Sequence, residues 1–247
     1  MINVTREPNS PASLVTNEIR TYVQECADYK DDPISNPKPS KPTSYRTSDL
    51  LEAFDRCFHS KCYLTEEKFF NSWKMDVEHF IPQNQDPALV YEWTNLYPAE
   101  HKANMSKPRT NPVGGYLDPC DAADDVENEI IYSITDFGLK PNFNTRDVTN
   151  QKSVNTCELL ERLHNGHDSE SVQNTADLRH GIRKRYSEIL EKICDWRAQN
   201  LNTQKEVQLR NEIKLLLSRK ASFTMLLRSM PAVVQLNDQY PELSFFD

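Results

Sequence analysis

From Ser153 to Met230 the chain places apolar residues at steps of three and four, a spacing that helices turn into continuous faces. Leu159, Leu160 and Leu163 form one stripe; Leu178, Ile182, Tyr186, Ile189, Leu190 and Ile193 form a longer second. Leu209, Ile213, Leu216 and Leu217 make a third, and Phe223, Leu226, Leu227 and Met230 a fourth. These stripes read as core, not as cofactor boxes. Only 5 of the 247 residues are Gly, which disfavours a fold built on tight β-turns.

The first half is less regular. A helix is predicted over about residues 12–29, followed by DDPISNPKPSKPTSYR, whose prolines preclude a packed element and imply an extended linker or surface strap. A second helix follows, with Ser48 as N-cap and Leu50, Leu51, Phe54 and Phe58 at helical spacing. Residues 57–110 are rich in Cys, His, Trp, Tyr and Asn without long periodicity, as expected of a loop-dense site on a small hairpin. EHKANMSK (100–107) reads as a short helix stopped by Pro108, and Glu129–Ile134 as a strand. The expected fold is α+β and mostly helical. It comprises an N-terminal helix and Pro-rich linker (1–46), a site-bearing region (47–145) and a C-terminal helical region (146–247).

The net charge of −8 argues against tight, nonspecific nucleic-acid binding by the chain alone, since such affinity comes from neutralising phosphates. No run of about 18 apolar residues occurs, so no membrane span is expected. The start, MINVTREPNSPASLV, lacks a signal peptide's apolar core, and a cytoplasmic location is expected. In that compartment the six cysteines read as thiols, with Cys120, Cys157 and Cys194 as small core residues.

The stretch with chemical content is VEHFIP, then YEWTNLYPAEHKANMSKP a short way downstream. Hydrolysis of a phosphodiester needs a base to deprotonate water and a cation to hold developing negative charge. His79 has the residue type for the base. Glu78 and Asn104 offer the oxygen donors that a hard cation prefers. Glu100, four residues before Asn104, reads as a helix-start carboxylate, with a third metal ligand as the alternative. In the basic run Arg179–Arg185, Arg179 and Arg183 share a face opposite the apolar stripe, which reads as a solvated face, with a phosphate or partner contact as the alternative.

Glu78-His79-Phe80-Ile81-Pro82, Trp93-x-Asn95-Leu96 and Asn104-x-x-Lys107 resemble the three blocks of HNH endonucleases, which carry a ββα-metal unit. With Cys62-Tyr63, Glu66 and the segment from Leu117-Asp118-Pro119 to Gly138, the pattern resembles the Septu-type, PtuB-like branch. That resemblance implies His79 as general base, Glu78 and Asn104 as ligands of Mg²⁺ (or Mn²⁺), and Asn95 as a loop brace that orients His79. It implies Lys107 as a contact to phosphate. It further implies an ABC-type, PtuA-like ATPase partner and, in some members, a retron reverse transcriptase with its msDNA. A small ββα-metal unit embedded in a helical domain is the expected architecture.

The chain departs from the family where a zinc bound by two CxxC pairs is usual. Thr65, Glu100 and Ala103 stand where the other three thiols would fall beside Cys62, which argues against structural Zn²⁺. Phe69, Phe70, Trp73 and Trp93 are the candidates to pack in its place, with Cys57, His59, Cys62 and His101 as an alternative metal set. Gln83 replaces the Lys that usually follows the first-block proline. The rival reading is an inert, HNH-like adaptor.

Overall fold

The computed structural model describes residues 1–135, 140–200 and 203–246. It is a mostly helical α+β protein with, among the described residues, two separate two-stranded antiparallel sheets. Gly138 lies outside the described residues. Among them, no helix is long and apolar enough to cross a membrane.

The predicted first helix is split. Ala12–Leu14 forms a 3-10 turn behind Pro11, and α1 (Asn17–Asp31) starts afresh because the Thr16 side chain captures the Ile19 amide. Helix α2 (Ser48–Phe58) begins one residue earlier than expected. Thr47 is the flanking residue and Ser48 is already helical. Its stripe of Leu50, Leu51, Phe54 and Phe58 is buried, and His59 and Ser60 end it in the left-handed region.

Strands β1 (Asp76–His79) and β2 (Leu96–Ala99) pair with Glu78 opposite Tyr97 and His79 opposite Leu96. Helix α3 (His101–Ser106) follows directly, and the Glu100 carboxylate caps it by accepting the Ala103 amide at 2.7 Å. This gives Glu100 the helix-start role. Helix α4 (Val126–Glu129) leads into β3 (Ile130–Thr135), which pairs with β4 (Lys140–Thr145). Ile130, Tyr132 and Ile134 point inward on alternate residues.

The C-terminal part comprises α5 (Gln151–Asn165), α6 (Ser169–Asn174), α7 (Ala176–Arg197), α8 (Gln204–Leu217), α9 (Thr224–Arg228) and α10 (Pro231–Gln239). The face of Ile182, Ile189 and Ile193 on α7 meets that of Leu209, Ile213 and Leu217 on α8 within one buried cluster. Cys194 is exposed, contrary to its reading as core, because it falls beside this stripe rather than on it.

Residues far apart in sequence close the core. The Met1 amine sits 3.0 Å from Glu66 and donates to the Tyr132 hydroxyl at 2.9 Å. Lys61, also buried, joins Glu66 to the Ala221 carbonyl. Arg6 lies over the rings of Trp93 and Tyr97, at 4.5 and 4.2 Å, and donates to the Trp93 and Leu96 carbonyls at 2.9 Å each. Of the aromatics expected to pack in place of zinc, Trp93 does so and Phe69 does in part. Phe70 (94% exposed) and Trp73 (55%) do not, because the 70–73 loop turns them to solvent.

Candidate active site

The end of β1 and the face of α3 meet at a cleft of about 600 Å³, walled by Glu78, His79, Gln83, Asn104, Lys107 and Arg109, with Tyr45 over it. Four of the five residues singled out from sequence therefore share one wall system. Asn95, the fifth, lies behind it.

His79 is buried, and its Nε2 is 3.1 Å from the Val90 carbonyl oxygen. A carbonyl can only accept, so Nε2 carries the proton and the lone pair is on Nδ1. Gln83 Nε2 donates to Nδ1 at 3.0 Å. Burial pushes the His79 imidazolium down to about 4, so the ring is neutral at physiological pH.

Asn95 closes the 81–95 connection. Its Oδ1 accepts the Ile81 amide at 2.7 Å, and its Nδ2 donates to the Ile81 and Leu89 carbonyls at 3.1 Å each. The Phe80 amide donates to the Asn95 carbonyl, which extends the β1–β2 ladder by one step. Both ends of the loop that supplies the Val90 carbonyl are thereby tied to the strand that carries His79.

Glu78 is buried with both oxygens engaged. Lys107 Nζ lies 2.6 Å from Oε1, and the Tyr63 hydroxyl donates to Oε2 at 2.9 Å. Burial raises the Glu78 carboxyl above its ordinary range, and Lys107 opposes the rise. Lys107 also donates to the His79 and Phe80 carbonyls, at 3.2 and 3.1 Å. Its three protons thus have three acceptors, a different occupation from the phosphate contact that the sequence suggests. Arg109, exposed at the cleft rim, is the neighbouring cation without such ties among the described residues.

Asn104 Nδ2 donates to Asp76 Oδ2 at 3.0 Å, and His101 Nδ1 meets the same oxygen at 2.9 Å. Among the described residues Asn104 Oδ1 has no hydrogen-bond partner. The donor set suits a hard cation in kind: one carboxylate and one amide oxygen on a common cleft. Glu78 moreover already holds a cation, the Lys107 ammonium. An ion taking Glu78 must compete with it.

Among the described residues no three His, Cys, Asp or Glu side chains gather as a metal site. Of the alternative metal set, Cys62 Sγ accepts the Thr65 amide at 3.5 Å, Cys57 Sγ accepts the Glu7 amide, and His101 faces Asp76. The sequence reading missed Tyr45, Asp76 and the roles of Tyr63 and Gln83. The alternation of Asp76 with Glu78 on one strand was the available signal for Asp76.

The fold and cleft thus define a small hairpin-and-helix unit, bearing an imidazole, a carboxylate and an amide, inside a helical protein. Over 108 residues, 43% of the chain, the sequence is 35% identical to the Septu protein PtuB of Bacillus thuringiensis. The matched stretch is 37% of that protein, so the chain spans little more than a third of its length. No family model matches the chain, and no solved structure matches it.

Proposed function

We propose that the chain is the metal-dependent, HNH-type endonuclease subunit of a Septu-like antiviral defence complex, hydrolysing phosphodiester bonds in DNA or RNA. The observation that carries this reading is the tautomer of His79. With Nε2 donating to Val90, Nδ1 keeps its lone pair, here accepting from Gln83, beside a cleft that also holds Glu78 and Asn104.

In this mechanism Nδ1 of His79 accepts the proton of the attacking water. Glu78 and Asn104 would hold Mg²⁺ or Mn²⁺, which would supply positive charge for the phosphate oxygens in the transition state. Asn95 keeps the Val90 loop in register with β1, and so keeps His79 in the productive tautomer. Arg109 binds a flanking phosphate. A small cleft that reads backbone rather than bases takes the phosphodiester class and does not separate phage DNA from host RNA, tRNA included. The acidic charge of the chain fits delivery of substrate by a partner. An ABC-type ATPase, and in some systems a reverse transcriptase with its msDNA, follow from the resemblance.

A second reading, an inert adaptor, is favoured by one observation: Lys107 and Tyr63 between them occupy both oxygens of Glu78. The two separate on labelled DNA and RNA incubated with the native complex, with and without divalent cation. A nuclease cuts only with the cation, and His79→Ala lowers the rate on the order of 10²–10⁴-fold while the complex still assembles. An adaptor gives no cation-dependent cutting.

A further inference from the structure

The Pro-rich segment is not a loose connector at its C-terminal end. Arg46 donates to the Met75 and Trp73 carbonyls, at 2.5 and 2.8 Å, and Tyr91 donates from its hydroxyl to the Thr43 carbonyl. Between these anchors Tyr45 stands edge-on to His79, with ring centroids 4.8 Å apart at 89°. Lys41 donates to Gln83 Oε1, and Gln83 Nε2 lies 3.4 Å from the Tyr45 hydroxyl and 3.0 Å from His79 Nδ1.

We propose that Lys41, Tyr45 and Gln83 form an autoinhibitory latch that caps the base lone pair of His79 until the 41–45 strap is lifted. This rests on the reading of His79 as the base. An imidazole nitrogen has one in-plane lone pair. A water to be deprotonated must donate to it from about 2.6–3.2 Å, and the Gln83 amide nitrogen already stands at that range. The amide cannot be turned away without cost, because Lys41 fixes Gln83 Oε1 and so leaves Nε2 for Nδ1. The outer part of the strap is open to solvent: Lys41, Pro42 and Thr43 are exposed, and Pro33, Pro37, Pro39 and Pro42 keep it out of any helix or sheet. A partner or substrate that takes Lys41 or displaces Tyr45 therefore releases Gln83, and with it Nδ1.

Carbethoxylation by diethylpyrocarbonate tests this, since the unprotonated ring nitrogen attacks a carbonyl of the reagent, forming the N–C bond as ethyl carbonate leaves (to give ethanol and CO2) and the Nε2 proton is lost to solvent. The full-length chain is treated at neutral pH and each histidine followed by peptide mass mapping, with exposed His101, His167 and His180 as internal references. Gln83→Ala is expected to speed modification of His79 at least tenfold, and exposed Lys41→Ala to speed it in the same direction, with the references unchanged. Equal His79 rates in wild type and both variants overturn the latch, whatever the chain cuts. The same variants are assayed on labelled DNA and RNA with Mn²⁺ and no partner. Faster modification with cutting raised at least tenfold supports latch and nuclease together. Faster modification without cutting, alone or in the native complex, leaves the latch standing and removes the nuclease reading.

Discussion

The Tyr63 hydroxyl donates to Glu78 at 2.9 Å, on the oxygen opposite the one that Lys107 holds. Tyr63 is buried and its own hydroxyl proton is firmly held, because burial and the neighbouring Glu78 raise its pKa well above the ordinary value. It therefore acts as a fixed donor that orients the carboxylate. Tyr63→Phe should cost about 1.5–3 kcal/mol of stability, the usual worth of a hydrogen bond to a charged group. It should also weaken divalent-ion binding roughly tenfold to a hundredfold, as loss of a ligand's supporting bond does. Urea denaturation and calorimetry with Mn²⁺ measure the two; unchanged ion affinity would remove Tyr63 from the site.

Lys107 presents the opposite case, a cation whose removal leaves a buried carboxylate uncompensated. In EDTA, Lys107→Met should lose roughly 3–5 kcal/mol, as when one partner of a buried ion pair is deleted. Added Mg²⁺ or Mn²⁺ should then raise the melting temperature of Lys107→Met by more than that of wild type, because the ion no longer competes with the ammonium. Equal shifts in the two proteins would mean that the ion does not bind at Glu78.

Asn95 makes three side-chain hydrogen bonds, all to backbone groups of the 81–95 connection: the Ile81 amide and the Ile81 and Leu89 carbonyls. Asn95→Ala should cost roughly 2–4 kcal/mol, since it leaves buried backbone groups without partners. Asn95→Asp should fare no better: it keeps the acceptor for Ile81 but turns a carboxylate toward two carbonyls. Chemical denaturation of both variants decides this, and a cost below about 0.5 kcal/mol would mean that the loop is held by its backbone alone.

Two contributions to the pH dependence of stability share one sign. Burial lowers His164 to about 4 from 6.5, so between those values the unfolded chain binds the proton and the folded one does not. Stability should fall as pH drops from 6.5 toward 4, and His79, lowered likewise, adds to the same window. For Glu66 burial alone would raise the pKa, but the Met1 amine and Lys61 overcome it and hold the carboxyl at about 2, against an ordinary 4.5. Its contribution is full above 4.5 and is lost as pH falls toward 2. Urea midpoints measured from pH 7 to pH 3 should decline, chiefly below pH 6.5. In His164→Gln the decline between 6.5 and 4 should shrink, and an unaltered curve would refute the assignment.

The periodic parts of this fold were legible, because helical stripes such as Ile182–Ile193 and Leu209–Leu217 record their burial directly in spacing. Strand β4 was not: in KPNFNT only Pro141 and Phe143 mark the inward face, too few apolar positions to set a period, and its pairing with β3 depends on a partner already in place. At the cleft, the residue types at 78, 79, 95 and 104 announced themselves as a block pattern. The contacts that decide their state did not, since Lys41 with Gln83, Tyr63 with Glu78 and Arg6 with Trp93 join residues 15 to 87 positions apart. Such pairs leave no local periodicity. Lys107 shows the same gap in reverse: its motif position suggested a phosphate, and burial turned it inward to Glu78.

The double tie made by Asn95 separates two properties of the 81–95 connection that usually vary together. Its foot is clamped to the strand bearing the imidazole, while Asn84 and Gln85 at its crest face solvent. The crest can consequently diverge, lengthen or accept a reporter group without displacing the imidazole, so sequence change there is uncoupled from the geometry of the cleft.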